Sequence, residues 1–265
     1  MEHVSEGDAA ARIRECLGVD RIDVAVVLGS GWGPLVKEWE ALASCSYAEV
    51  GLRETVAPGH EGRLTLVRLG ETRVLVFNGR THLYEGHGSR EVGRNVRIAA
   101  LLGAQTLVLT NANGTLVHEW PLGQVMVMTD HLNLTATSPL VGAEFVDLTE
   151  AYSPTLRENL IALAAEDGIT LTQGVYAMLP GPHFETAAEA HMIAAMGAQA
   201  LGMSTVLETI QARAEGMDVL ALSTVTAHEA SGEIIDPDEV VAIAMREAGR
   251  LAPALGRLLS SLEKK

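Results

Sequence analysis

Short apolar runs alternate with helical segments along nearly the whole chain, and most of the runs end in a glycine-rich or polar loop. Asp23–Leu28 is such a run and enters Gly29-Ser30-Gly31-Trp32-Gly33, after which Pro34 suits the first turn of a helix. Leu64–Leu69 and Arg73–Phe77 alternate about Gly70-Glu71 and read as a hairpin. Ser89–Leu102 has helical spacing, with Val92, Val96, Ala99 and Ala100 on one face and Gly103 as its stop. Thr106–Thr110 reads as a buried strand running into an Asn111-Ala112-Asn113-Gly114 loop, and Gln124–Thr129 as a further strand. Pro154–Asp167 reads as a helix closed by Gly168. Two capping boxes, Thr186 with Glu189 and Thr205 with Glu208, open helices that Gly197 and Gly216 end. Ala200–Met203 and Val219–Thr224 are the last strands, and Asp236-Pro237 caps a C-terminal helix. This alternation predicts an α/β fold, a single domain over 1–265 with a mixed, mostly parallel central sheet flanked by helices. Ligands of such sheets bind beyond the carboxyl ends of the strands, where the glycine loops lie.

The formal charge of −15 repels nucleic acid and anionic membranes, so neither is expected as a partner. Any phosphate site must be locally electropositive against that field, which singles out the arginines near glycine loops. Cys16 and Cys45 have no metal-type spacing and read as two free thiols. The charged N-terminus is not signal-like, and no apolar run approaches the ~20 residues that span a bilayer. A soluble cytoplasmic protein without a metal site is expected.

Five segments carry candidate chemistry. Asn78–Glu85 places Arg80, His82, Tyr84 and Glu85 after a strand. Arginine offers a planar fork of donors for an anion, although a solvated loop with a surface ion pair explains this segment equally well. The 29–33 loop can cradle phosphate with its N–H groups and Ser30, or be a tight turn; the spacing of a dinucleotide loop is missing. Ala57–Leu64 holds His60 and Arg63 between glycines and reads as a mobile loop. Near the third quarter, Phe184 can stack on a flat ligand and Glu185 accept from ring N–H groups, or Glu185 can simply favour a helix dipole. Thr205 is the better N-cap there, which leaves the Ser204 hydroxyl for an anion, while Met203 also fits a core position.

Together these segments resemble the trimeric purine nucleoside phosphorylases. The resemblance runs in order from residue 29 to residue 226 through Gly-Ser-Gly-x-Gly, Pro-Gly-His-Glu-Gly-Arg-Leu, Gly-Arg-Thr-His-Leu-Tyr-Glu-Gly, Thr-Asn-Ala-x-Gly, Asp-His-Leu-Asn-Leu, Ala151-Tyr152, Gly-x-Tyr-x-x-x-Pro-Gly-Pro-x-Phe-Glu-Thr and Gly-Met-Ser-Thr-Val. It implies a nucleoside phosphorylase fold, the cleavage of purine nucleosides by inorganic phosphate to free base and ribose 1-phosphate, no cofactor and a homotrimer. It places phosphate on Ser30, His60, Arg80, His82, the N–H of Ala112 and Ser204. It places the ribose on Tyr84, Tyr176 and Met203, and the base on Phe184, Glu185 and the 226–228 segment. His60, His82 and Glu185 take the catalytic roles, and Phe145 reaches a neighbouring subunit's site.

The departures lie at the base end. The family's Thr-Asn pair is Thr226-Ala227 here, and alanine has no donor for the base; His228 or Glu229 are the next polar side chains. Residues 236–239 lack the family's histidine for the ribose 5′-hydroxyl, and Asn113 stands where a small residue is usual. Inosine and guanosine are the default substrates. The alternatives are a methylthioadenosine phosphorylase, which Glu185 disfavours, and a nucleoside-binding protein without turnover, which has no use for a phosphate site. A dinucleotide-dependent dehydrogenase leaves most of the motifs unexplained.

Overall fold

Strand β1, Val24–Val27, is buried on both faces and decides the layering. Val24 and Val26 join one apolar cluster with Leu251, Leu255 and Leu258. Ala25 and Val27 join a second with Ile13, Val96 and Ile98. Successive side chains of a strand point to opposite faces, so helices must cover both. The protein is seen in a computed structural model that describes residues 4–57, 60–232 and 236–262. Its other strands are β2 (Glu40–Ser46), β3 (Arg63–Leu69), β4 (Thr72–Asn78), β5 (Thr106–Thr115), β6 (Val125–Asn133), β7 (Thr172–Met178), β8 (Ala200–Gly202) and β9 (Asp218–His228). The helices are α1 (Glu6–Leu17), α2 (Pro34–Lys37), α3 (Tyr47–Val50), α4 (Ser89–Val92), α5 (Arg94–Leu101), α6 (Pro154–Glu166), α7 (Ala187–Ala195), α8 (Val206–Ala214) and α9 (Pro237–Ser260).

Among the described residues the strands form one mixed sheet in the order β2-β3-β4-β1-β5-β8-β7-β6-β9. Because β5 also pairs with β9, five strands curl into a closed ring while β1 to β4 extend from it as an open wing. β1 is parallel to both β4 and β5, and the β2-β3-β4 wing is antiparallel. This is the expected α/β domain with a mixed central sheet and helices on both faces.

Several elements differ from the expectation for physical reasons. β5 does not stop at Thr110: Asn111–Thr115 pair with β9, and long-range pairing overrides their turn-like composition. A register shift between Asn113 and Gly114 bends the strand into the ring. The segment expected as one helix from Ser89 breaks at Gly93, where a Cβ would lie 3.0 Å from both Arg97 and Gln211. β2 is mostly exposed and lacks an apolar alternation, so it left no clear pattern. β7 was hidden by Gly174, which makes room for Trp120 and Met126 against the strand. Pro58 and Gly59 of the loop expected to be mobile lie outside the described residues.

Gly29 ends β1 so close to β5 that a Cβ would sit 2.5 Å from the Thr110 carbonyl oxygen and 2.9 Å from the Asn111 Cα. Gly29→Ala is therefore expected to force the strands apart and cost about 1–3 kcal/mol. A urea midpoint that does not move would refute this close-packing argument.

Candidate active site

The ends of β1, β4, β5 and β9 surround a cavity of about 320 Å³. One end is built around Arg80, just after β4. Arg80 is 1% exposed, and its guanidinium donates to the Glu208 carboxylate (3.0 Å), the carbonyls of Thr110 (2.7 Å) and Val27 (3.1 Å), and the Ser204 hydroxyl (3.3 Å). Glu208 on α8 uses its second oxygen to accept the N–H of Thr205 at 3.0 Å. Thr205 has φ +79, a left-handed conformation that a β-branched residue rarely adopts. It is held there by Glu208, by Asn111, which donates to its hydroxyl at 2.8 Å, and by Thr209, which donates to its carbonyl. The chain of bonds continues from Asn111 to Ser223, which also accepts from Asn113 at 2.6 Å.

Two stacked rings, His82 and Tyr84, wall the next part of the cavity, and a third backs them. His82 stacks on Tyr84 with centroids 4.7 Å apart, and His60 stacks on the other side of His82 at 5.3 Å. His60 accepts the Arg80 N–H on Nδ1 and is seated over Gly79, where a Cβ would come within 2.8 Å of its own. Burial, reinforced by His82 and Arg80, pushes the His60 pKa down to about 3, so its imidazole is neutral near pH 7. The Glu85 carboxylate accepts the His82 N–H at 2.7 Å and stands 3.4 Å from its Nδ1.

The other end carries two carboxyl groups. Both oxygens of Glu185 are buried without a hydrogen-bond partner, and burial raises its pKa. Glu229 is 4% exposed; burial and then the nearby Glu185 charge push its pKa up to about 7. Gly114 makes room for it, since a Cβ there would lie 1.8 Å from a Glu229 oxygen. The Arg80 cluster meets β5 at Thr110–Asn111 and the Glu229 cluster meets it at Gly114. Three residues of strand put them about 10 Å apart.

Of the residues singled out from the sequence, Ser30, Arg80, His82, Tyr84, Ala112, Phe184, Glu185, Met203, Ser204, Thr226 and Ala227 all line this cavity. Three do not. His60 lies behind His82, Tyr176 is fully buried with its hydroxyl under Gly202, and His228 turns away to Trp120, 2.8 Å from its carbonyl, beside His118. Two further expectations are corrected. The Ser204 hydroxyl is engaged by Arg80 and Thr205, and Glu208 is an ion-pair partner as well as a helix cap. Glu229, Asn111, Gly114, Val240 and Val241 also line it. Glu229, named from the sequence only as one of the next polar side chains after Ala227, lies one residue beyond the end of β9.

The strand ends of this α/β ring hold a buried arginine at one end of a cavity and two carboxyl groups at the other, and residues 23–260 match the phosphorylase superfamily. Purine nucleoside phosphorylases of Mycobacterium tuberculosis and Cellulomonas are 49% and 44% identical to the chain over 95% and 97% of it, and over 94% and 92% of their own lengths. The crystal structure of the Schistosoma mansoni purine nucleoside phosphorylase in complex with inosine superposes with a TM-score of 0.89 at 29% identity over 100% of both chains. The chain belongs to the purine nucleoside phosphorylases, which are pentosyltransferases.

Two outcomes follow from the buried charges. Glu208→Ala strands the Arg80 cation in the interior and is expected to cost about 3–5 kcal/mol in urea unfolding. Unfolded chain takes up a proton on His60 below the ordinary value of 6.5, whereas the folded protein does so only near 3. Stability should therefore fall as the pH drops between those values, and His60→Gln should lessen that fall. Parallel urea curves for the two proteins at successive pH values would show the difference; identical acid slopes would contradict it.

Proposed function

We propose that this cavity cleaves purine nucleosides with inorganic phosphate as co-substrate, releasing the base and a pentose 1-phosphate. The observation that carries the reading is the polarity of the cavity. Cationic and hydroxyl donors gather at one end and carboxyl groups at the other, about a nucleoside's length away along β5. Phosphate sits at Ser30, His82, the Ala112 N–H and Ser204, oriented by the potential of Arg80. The pentose lies along Tyr84 and Met203. Phe184, half exposed at the mouth, covers the base, and Glu185 accepts its N1–H. His60 acts through His82, as a positioning residue.

The reaction breaks the C1′–N9 bond as a phosphate oxygen bonds to C1′. Positive charge grows on the sugar and negative charge on the base. Phosphate held against the sugar is both nucleophile and counter-charge, so the protein's work is orientation and electrostatic stabilisation. His60, being neutral, adds no cation here, and the Arg80 charge is balanced by Glu208 3.0 Å away, so this end works through the donors that the pair holds in place.

Assembly as a homotrimer in the cytoplasm belongs to the same reading. Phe145 is 95% exposed, as a residue that meets another subunit would be in one isolated chain, and Cys16 and Cys45 are free thiols. A second substrate preference has one supporting observation: Val240 and Val241 face the cavity near the start of α9, an apolar lining that suits 5′-modified nucleosides.

Purified protein incubated with inosine should release hypoxanthine and ribose 1-phosphate only when phosphate is added. Base release that ignores phosphate, or tight nucleoside binding without product, would defeat the reading. Ser204→Ala removes one donor to an anion and should raise the KM for phosphate roughly 10-fold or more. A panel with guanosine, adenosine and methylthioadenosine ranks base and 5′ preferences.

A further inference from the structure

We propose that the Glu229 carboxyl is the hydrogen-bond donor to the departing purine, taking the place of the carboxamide that position 227 does not supply. The inference rests on the phosphorolysis reading above and concerns how the base leaves.

Position comes first. Ala227 and Glu229 both line the cavity, while His228 between them bonds the Trp120 carbonyl outside it. This is the alternation of a strand, and it delivers position 229 to the same face as position 227. The Glu229 N–H donates to the Thr115 carbonyl at 2.9 Å, so the backbone is still tied to β5 at this point. Room comes second. A Cβ on residue 114 would lie 1.8 Å from one Glu229 oxygen and 2.6 Å from the carboxyl carbon. Only glycine lets the carboxyl lie over β5 and face the base.

Chemistry comes third. A protonated carboxyl carries one donor and one acceptor in a plane, the same complement that a carboxamide presents to a base edge. Two carboxyl groups on one small cavity resist being charged together, and the pair titrates as a unit. Burial and the Glu185 charge hold Glu229 protonated up to about pH 7. Among the described residues the surroundings supply no opposing cation. β5 contributes Gly114 and Thr115, α9 contributes Val240 and Val241, and His228 is turned away. Asp236, Asp238 and Glu239 are exposed and do not line the cavity. His183 acts on Glu185, and Arg80 is paired with Glu208 at the far end.

The step balances. The electron pair of the C1′–N9 bond passes to the purine, whose N7 accepts the hydrogen bond of the Glu229 carboxyl. Phosphate dianion releases its proton to solvent as the sugar phosphate forms, and the departing base takes one proton from solvent.

The test compares wild type, Glu229→Gln and Glu229→Ala on inosine and on 7-methylinosine at saturating phosphate, across pH values on both sides of about 7. 7-Methylinosine leaves without a donor at N7, and it shares any pH effect that belongs to phosphate. For Glu229→Ala, kcat/KM on inosine should fall about 100-fold while the rate on 7-methylinosine holds. Glu229→Gln, whose amide donates at every pH, should keep activity on inosine and lose the decline above about pH 7 that wild type shows with inosine alone. Full inosine activity in Glu229→Ala, equal losses on both substrates, or an unchanged pH limb in Glu229→Gln would overturn the assignment while leaving phosphorolysis intact. Release of base from neither nucleoside by wild type would overturn both.

Discussion

The ion pair between Arg80 and Glu208 holds one end of the cavity together. Both side chains are 1% exposed, so each charge has given up water and depends on the other. Glu208 also grips the Thr205 N–H, and Arg80 also grips the carbonyls of β1 and β5 and the Ser204 hydroxyl. One pair thus joins the end of β4, the loop after β8 and the first turn of α8. It supplies the surplus that keeps Thr205 in a conformation costing about 1–3 kcal/mol. Four of the five guanidinium donors are spent inside the protein. Arg80 therefore works mainly by fixing the groups that meet an anion and by setting the local potential. A chain of formal charge −15 needs such a buried cation, because a surface arginine would be screened and outvoted.

What was readable in the sequence follows from how local its cause is. The run from Val24 to Leu28 and the glycines after it were legible because an apolar strand and a tight turn each leave their own signature. The hairpin of β3 and β4 and the capped helices α7 and α8 were legible for the same reason. β7 was not, since Gly174 serves the bulk of Trp120, a distant residue. Nor was the continuation of β5 through Asn111–Gly114, whose composition says turn and whose partner strand lies a hundred residues away. The motifs brought most of the cavity lining into view, yet a motif does not give the direction of a side chain. Tyr176, within a matching segment, and His228, beside the departure at Ala227, both point elsewhere. Glu208 was read as a cap because a capping box has a local signature and a tertiary ion pair does not.

The two ends of the cavity solve opposite electrostatic problems with the same tool, burial. At the Arg80 end, burial strengthens a cation's field by excluding water, and the neighbouring His60 responds by staying neutral. At the Glu229 end, burial suppresses charge and keeps a proton on a carboxyl group. In the proposed binding mode a nucleoside bridges an end rich in donors and an end with a protonated carboxyl, which answers the two demands that breaking its glycosidic bond creates.

β5 connects these regions, and a strand cannot be lengthened by degrees. Removing one residue between Asn111 and Gly114 would exchange the faces of everything beyond it. Removing two would restore the faces and shorten the span by about 7 Å. A change of one methyl or amino group in the substrate is far smaller than that step. The distance between the two ends of the cavity is in effect quantised by the backbone, so it is side chains at positions such as 227 and 229, and not the ruler itself, that can be adjusted finely.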